Sequence, residues 1–288
     1  MMKQEDGTLM KIVDTHQHLW DLDKFSYAWT KGNPTLNRSF RLTDYREATK
    51  GLDIEKSVFL ECDVDEQFQV DEAKYICSLA EKKENKLAGV VASARPEKPG
   101  FEEYLNKIAH PNLKGIRRIL HVVPDDTIDK PGFIENANKL AKYHLSFDIC
   151  VLARQLPIAI RLIKECPGVQ FVLDHCGNPR IMEKEFSPWS DRIAEVASYP
   201  NVVGKVSGIV TNAEPKKWTP AELKPYVDHM IKSFGWERVM FGSDWPVCLL
   251  NSTYKHWVDA LKVITKDAGE AKQRKLFHDN AVRVYRLT

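Results

Sequence analysis

The chain has 288 residues, of which 43% are hydrophobic and 28% charged, an ordinary globular composition with apolar residues enough for a sizeable core. The formal net charge is +2, with lysines and acids interspersed and no basic block, which leaves nucleic acid without an electrostatic footprint, and no run nears the roughly 20 apolar residues of a membrane span. The opening ten residues, with Glu5 and Asp6, lack the apolar core of a signal peptide. Cys62, Cys77, Cys150, Cys166, Cys176 and Cys248 are scattered without C-x-x-C pairs, as expected for reduced thiols of a cytoplasmic protein.

The first predicted element is a strand that begins at Met10-Lys11-Ile12-Val13 and runs out at Asp14-Thr15-His16-Gln17-His18. Residues i and i+2 of a strand share a face, so His16 and His18 aim two imidazoles at one spot. Residues 21 to 42 read as an irregular, aromatic-rich loop, and a short helix from Thr43 to about Lys50 is closed by Gly51. A rhythm follows. Strands are predicted at 54–60, 87–92, 113–120, 146–152, 171–174, 202–206 and 239–242. Helices at 67–82, 101–109, 133–143, 157–166 and 189–198 alternate with them. Thr219-Pro220-Ala221-Glu222 opens another helix, with Thr as N-cap, Pro in the first turn and Glu at the capping-box position. Tyr254, Trp257, Val258, Leu261 and Ile264 mark an apolar helical stripe, and a last helix runs from about Glu270 to His278.

Eight apolar strands alternating with helices imply a parallel sheet covered by helices, and eight units imply a (β/α)8 TIM barrel. A doubly wound open sheet is disfavoured, because no Gly-rich turn follows the first strand. No linker or longer repeat interrupts the rhythm, so one domain is expected over residues 1–288, with residues 1–9 a disordered or loosely packed terminus.

In such a barrel the C-terminal strand ends face one mouth, where chemistry resides. The polar residues there are His16 and His18, Glu61, Arg117 and Arg118, His175, Lys205 and Ser207, and Asp244. Each has a plain alternative: Asp174-His175 as a helix-cap pair, Asp244 as a turn residue before Trp245-Pro246, Lys205 as a solvated charge. Their convergence favours chemistry. Three imidazoles and a carboxylate can hold one divalent ion with room for water or substrate. His16, His18 and His175, with Asp244, are therefore the expected ligands, and zinc the expected ion. His175 and Asp244 are the expected catalytic groups, with Asp244 as general base and then acid. Arg117, Arg118, Arg154 and Lys205 are expected to hold substrate oxygens, although one of Arg117 and Arg118 suits a structural ion pair. Glu61 joins this substrate-binding set. Trp20, Tyr27, Trp29 and Trp245 are expected in the pocket wall, where aromatic faces cover apolar patches of a substrate.

The motifs Asp14-Thr15-His16-Gln17-His18-Leu19-Trp20-Asp21, Gly115-Ile116-Arg117-Arg118, Asp174-His175-Cys176-Gly177-Asn178-Pro179, Lys205-Val206-Ser207-Gly208 and Phe241-Gly242-Ser243-Asp244-Trp245-Pro246-Val247 resemble the amidohydrolase superfamily. More narrowly they look like its amidohydrolase 2 branch of sugar-lactone hydrolases, the L-fuconolactonase and L-rhamnonolactonase type, as does the stretch from Trp218 to His229. The resemblance spans about residues 10 to 285 and implies hydrolysis of an aldonolactone in sugar catabolism. By motif position, His16 and His18 match the first-strand metal pair, His175 the later histidine and Asp244 the eighth-strand carboxylate. Binuclear members of the superfamily carry a bridging lysine or glutamate at the fourth strand and a histidine at the fifth. Here those places hold Arg117-Arg118 and Cys150 with Arg154, which argues against two metals. Metal-independent relatives leave direct polarisation of the carbonyl by the histidines as the alternative to a single ion. The competing activities are a metal-dependent decarboxylase of unsaturated or aromatic acids and, more remotely, a non-catalytic sugar-acid-binding protein. The expected partner is a small sugar lactone, with no nucleic acid or membrane, and the expected state a monomer or homodimer.

Overall fold

The computed structural model describes residues 9–288. The expectation for residues 1–9 therefore lies, apart from Leu9, outside the described residues. Eight strands occur in the order β1 (Lys11–Gln17), β2 (Asp53–Leu60), β3 (Leu87–Ser93), β4 (Leu113–Ile119), β5 (Ser146–Cys150), β6 (Phe171–Leu173), β7 (Val202–Val206) and β8 (Val239–Phe241). Each pairs in parallel with the next in sequence. Between them lie α1 (Leu42–Ala48), α2 (Gln69–Ala80), α3 (Phe101–Lys107), α4 (Phe133–Lys139), α5 (Leu156–Glu165), α6 (Trp189–Ser198) and α7 (Pro220–Phe234). After β8 come α8 (Tyr254–Ile264), α9 (Glu270–Arg274) and α10 (Asn280–Val284). This is the expected (β/α)8 barrel, in a single domain.

The strands are buried on both faces, which is why they read as apolar runs rather than alternating ones. Phe59, Phe147, Phe171 and Phe241 belong to the larger core between sheet and helices. Val13, Val58, Val91, Val172, Val203 and Met240 form a second cluster with Val284, Tyr285 and Leu287 of the C-terminal segment. α7 begins as its sequence requires. Thr219 N donates to Glu222 Oε2 at 2.8 Å, Glu222 N donates to Thr219 Oγ1 at 3.4 Å, and Pro220 occupies the first turn.

Two predicted elements need correction. The helix expected over 133–143 ends at Lys139 and continues as turns. The single last helix is three pieces, with a π turn at Lys275–Asp279 between α9 and α10. Period counting cannot see that wider turn. Beyond it the buried Tyr285 hydroxyl donates to Asp148 Oδ2 at 2.6 Å.

The barrel closes between β1 and β8 by few but specific bonds. His18 N donates to Trp245 O at 2.8 Å and Asp244 N to His16 O at 2.7 Å. Thr15 Oγ1 donates to Phe241 O at 2.6 Å. The β1–β2 register shifts between Asp14 and Gln17, a bulge of the kind that re-aims side chains near active sites.

Candidate active site

The chemistry gathers where the barrel closes. Imidazoles from the end of β1 (His16, His18) and the end of β6 (His175) face the carboxylate that follows β8 (Asp244). Asp244 Oδ1 lies 3.7 Å from His16 Nε2, 3.3 Å from His18 Nε2 and 4.0 Å from His175 Nε2. The His16 ring centroid is 4.9 Å from that of His18 and 4.3 Å from that of His175. His175 and Asp244 both sit in the left-handed backbone region, at φ 53° and 57°, where non-glycine residues are uncommon and cluster at functional sites. Two glycines make the crowding possible. A Cβ on Gly208 would stand 2.3 Å from His175 Nδ1, and one on Gly242 would stand 2.6 Å from His16 Cβ.

The far nitrogen of each imidazole is also engaged. His18 Nδ1 donates to Leu60 O at 2.8 Å, since a carbonyl can only accept, and Nε2 faces Asp244 Oδ1 at 3.3 Å. His175 Nδ1 is 3.0 Å from Ser207 Oγ, and His16 Nδ1 is 3.3 Å from Asp174 Oδ1. Burial pushes the His16 imidazole well below its ordinary pKa and lowers that of His175, so both rings are neutral near pH 7. His16, His175 and Asp244 bring donor atoms within 4.8 Å of one another. Three imidazole nitrogens and a carboxylate oxygen, with His18 and His175 held from behind by hydrogen bonds, fit a divalent ion. Arg117 Nη1 lies 3.3 Å from His16 Nε2, so the guanidinium and an ion would compete for that nitrogen.

Beneath this group runs a chain of buried charges. Arg117 Nε donates to Glu61 Oε1 at 2.9 Å and Nη1 to Asp174 Oδ2 at 3.2 Å, and Nη2 donates to the Glu61 carbonyl. Lys205 Nζ is 2.7 Å from Asp148 Oδ2 and 3.1 Å from Asp174 Oδ1. Burial opposes charge on Asp174, but Lys205, His16 and Arg117 outweigh it and hold its carboxyl well below the usual range. At Asp148 burial prevails over Lys205, and its pKa is raised. Burial likewise opposes charge on Arg117, but Glu61 and Asp174 hold its pKa well up. Asp174 is therefore no helix cap; it is an anion shared by one imidazole and two cations.

A cavity of about 290 Å³ opens above the imidazoles. His18, His175, Asp244, Arg117 and Trp29 line it, and Trp29 is 38% exposed. Other expected substrate contacts are corrected. Lys205 is 0% exposed, because its ammonium is consumed by Asp148 and Asp174 below the mouth. Glu61 is buried against Arg117. Arg118 Nη2 donates to Glu97 Oε1 at 2.6 Å, so both adjacent arginines are ion-paired rather than one. Arg154 points outward and pairs with Asp125. Trp20, Tyr27 and Trp245 belong to the core. Trp20 stacks edge-on behind Trp29 with centroids 5.4 Å apart, Trp245 packs on Phe40 and Tyr45, and the Tyr27 hydroxyl donates to Glu72 at 2.7 Å. These rings support the loop that carries Trp29.

Lining residues given no place in the site from sequence include Asp63, His121 and Thr211, while Cys150 and Asn178 stood there only as a strand end and a motif letter. His121 follows β4 by two residues, and a histidine just past a strand end is the signal that could have found it. Burial, with Arg117 and His175, pulls its pKa down to about 4, and its Nδ1 is 3.4 Å from Cys150 Sγ. All six cysteines are buried free thiols. Among the described residues, no helix is long and apolar enough to cross a membrane.

Barrel, mouth and histidine–carboxylate centre together define a class, the barrel hydrolases able to carry a divalent ion. Comparison with known proteins narrows this. The model of the amidohydrolase family matches residues 13–287. An uncharacterised protein of Sinorhizobium fredii is 29% identical, over 96% of this chain and 98% of its own length. An L-fucono-1,5-lactonase of Burkholderia multivorans is 28% identical, over 96% of each chain. A crystal structure of an amidohydrolase from Burkholderia multivorans with bound zinc superposes with a TM-score of 0.88 at 26% identity, covering 96% of this chain and 99% of its own. The chain belongs to the amidohydrolase family and is a hydrolytic enzyme.

Proposed function

We propose that the protein opens a sugar-derived lactone to the sugar acid, an aldonolactone of the L-fuconolactone or L-rhamnonolactone kind, at the mouth of the barrel. The observation that carries this reading is the convergence of three imidazole nitrogens on Asp244 Oδ1 beside a cavity of lactone size. The similarity to an L-fucono-1,5-lactonase supports the substrate class. The donor set suits zinc, as does the zinc in the similar Burkholderia multivorans structure. When bound, such an ion acidifies a water and polarises the lactone carbonyl.

Asp244 accepts the proton of the attacking water, whose oxygen forms a bond to the carbonyl carbon. The ring C–O bond then breaks, and Asp244 returns the proton to the departing ring oxygen, which becomes the hydroxyl of the open acid. Arg117 places fixed positive charge beside the centre, and Glu61 and Asp174 prevent it from swinging away.

A panel of aldonolactones followed with a pH indicator tests the reading, and at least one should release acid at an enzymatic rate. Asp244→Asn should lower kcat by roughly 10²–10⁴-fold, the usual worth of general base assistance, with melting unchanged. Carbon dioxide release from an unsaturated or aromatic acid, with no lactone turned over, would replace this proposal with a decarboxylase. An Asn variant of undiminished kcat would remove Asp244 from the mechanism.

A further inference from the structure

We propose that Asp63 sets the charge class of the substrate: the cavity takes an uncharged, hydroxyl-bearing lactone and rejects one that bears a carboxylate, with Asp63 accepting hydrogen bonds from ring hydroxyls. This rests on the lactonase reading above.

Asp63 follows β2 and lines the cavity with Trp29 and His18. Its backbone is held at φ 54°, with its N–H donating to Glu61 Oε2 at 2.8 Å. Among the described residues, a single bond reaches its carboxylate, from Arg95 Nη2 to Oδ1 at the long distance of 3.4 Å. Arg95 is itself spread over Ser93 Oγ at 2.9 Å and Ala94 O at 3.1 Å. Asp63 therefore keeps acceptor capacity for a ligand, since an ionised carboxylate offers about four lone-pair sites.

The neighbouring indole adds the second half of a sugar subsite. Trp29 Nε1 donates to Cys62 O at 2.6 Å, so the ring and the next residue's carboxylate are fixed relative to one another. An aromatic face covers the C–H side of a sugar ring, and a carboxylate accepts from its hydroxyls. The rest of the wall offers an anion little. Arg117, which lines the cavity, is held by Glu61 and Asp174, and the neighbouring Arg118 and Arg154, outside the lining, are held by Glu97 and Asp125. Asp244 adds a second carboxylate to the lining. A substrate carboxylate remote from the scissile carbonyl would thus lose its water and meet Asp63, and among the described residues the nearby cations are already paired, Arg95 with Asp63 itself and Arg117 with Glu61 and Asp174.

The test uses the metal-loaded enzyme and two matched pairs of compounds. One pair is a neutral aldonolactone and an aldaric lactone of the same ring, which carries a carboxylate. The other is their non-hydrolysable lactam analogues, whose binding is read by tryptophan fluorescence. The neutral member should be preferred by at least about tenfold to a hundredfold, the worth of a charge-assisted hydrogen bond, in kcat/KM and in Kd alike. Asp63→Asn should raise KM for the neutral lactone by about tenfold with kcat nearly unchanged, and should narrow the discrimination by a similar factor. Asn tolerates the left-handed backbone, so melting should stay within a few degrees. Equal treatment of the two charge classes, or an Asn variant with unaltered discrimination, would overturn the assignment. Preferential binding of the neutral lactam with no lactone hydrolysed would instead sink the lactonase reading and leave Asp63 its role.

Discussion

Glu72 is a carboxyl buried behind the cavity wall. Its Oε1 accepts from the Tyr27 hydroxyl at 2.7 Å and from the Cys62 thiol at 3.8 Å, and among the described residues no cation pairs with it. Burial, reinforced by Glu61, raises its pKa to about 8. In the unfolded chain the value is near 4.3, so between these limits the folded protein holds a proton that the unfolded chain has lost. Stability should therefore fall as pH rises from about 4.3 to about 8, by up to about 1.4 kcal/mol per pH unit from this group, and should gain no further slope above that. Glu72→Gln keeps the neutral form and should flatten this slope. Urea denaturation of both proteins at several pH values measures it, and parallel slopes would show that Glu72 does not titrate in this window. Asp63 lies close by, and burial and Glu61 raise its pKa as well, but Arg95 and an opening to the cavity keep it within reach of solvent. Two acids of one neighbourhood thus differ in role through partner and exposure.

The seam between β1 and β8 is the element-scale feature on which the site depends. Asp14 in β1 accepts from His16 N at 3.1 Å, Ser243 N at 2.9 Å, Ser243 Oγ at 2.7 Å, Tyr45 OH at 2.9 Å and Tyr254 OH at 3.1 Å. One carboxylate thereby ties β1 to the turn after β8 and to α1 and α8. The strand-end residues it anchors are neighbours of His16 and Asp244 in the chain. Removing it leaves several buried donors without acceptors, each costing about 1–3 kcal/mol before relaxation. Asp14→Ala should therefore destabilise the protein by roughly 3–5 kcal/mol and lower activity at temperatures where it remains folded. A denaturation midpoint like that of the parent would show that water or Ser243 replaces the lost bonds. Asp14 stood in the sequence only as one letter of a motif, because all its side-chain partners and Ser243 N lie far along the chain, Tyr45 on α1 31 residues away and Ser243 and Tyr254 more than 200.

For the molecule as a whole, the metal question is one of linkage. An ion that binds the folded barrel and not the unfolded chain stabilises it by RT ln(1 + [L]/Kd), about 2.7 kcal/mol at a hundredfold excess over Kd. The proposed ligands come from the ends of β1, β6 and β8, so they converge only when the barrel is closed. Zinc added to chelator-treated protein should raise Tm by several degrees, and His16→Ala with His18→Ala should abolish that rise. An unchanged Tm with full lactone turnover would favour direct polarisation of the carbonyl by the histidines and Arg117. The buried charges below the site, Lys205 and Arg117 against Asp148, Asp174 and Glu61, fix the orientation of His16 without the ion, so apo and metal-loaded barrels should share one fold.

The order and kind of the elements were legible in the sequence because hydrophobic periodicity and capping are local properties. Val202–Val206 and Trp189–Ser198 show this residue for residue, and Thr219-Pro220-Ala221-Glu222 announces the start of α7 by its own hydrogen bonds. The strand-end histidines and Asp244 were legible for a related reason: strict β/α alternation sends every strand terminus to one mouth, so sequence position alone places them. What the sequence did not contain was the use to which each charge and ring is put. Lys205, Arg118 and Arg154 carry the donors a substrate would want, yet each is consumed by an acid distant in the chain. Trp20, Tyr27 and Trp245 have faces suited to a sugar, yet they pack behind Trp29. His121 and Asp63 entered the cavity unannounced. Pairing and burial are decided by which side chains the closed barrel brings within a few ångströms, a property of the whole fold and not of any stretch of it.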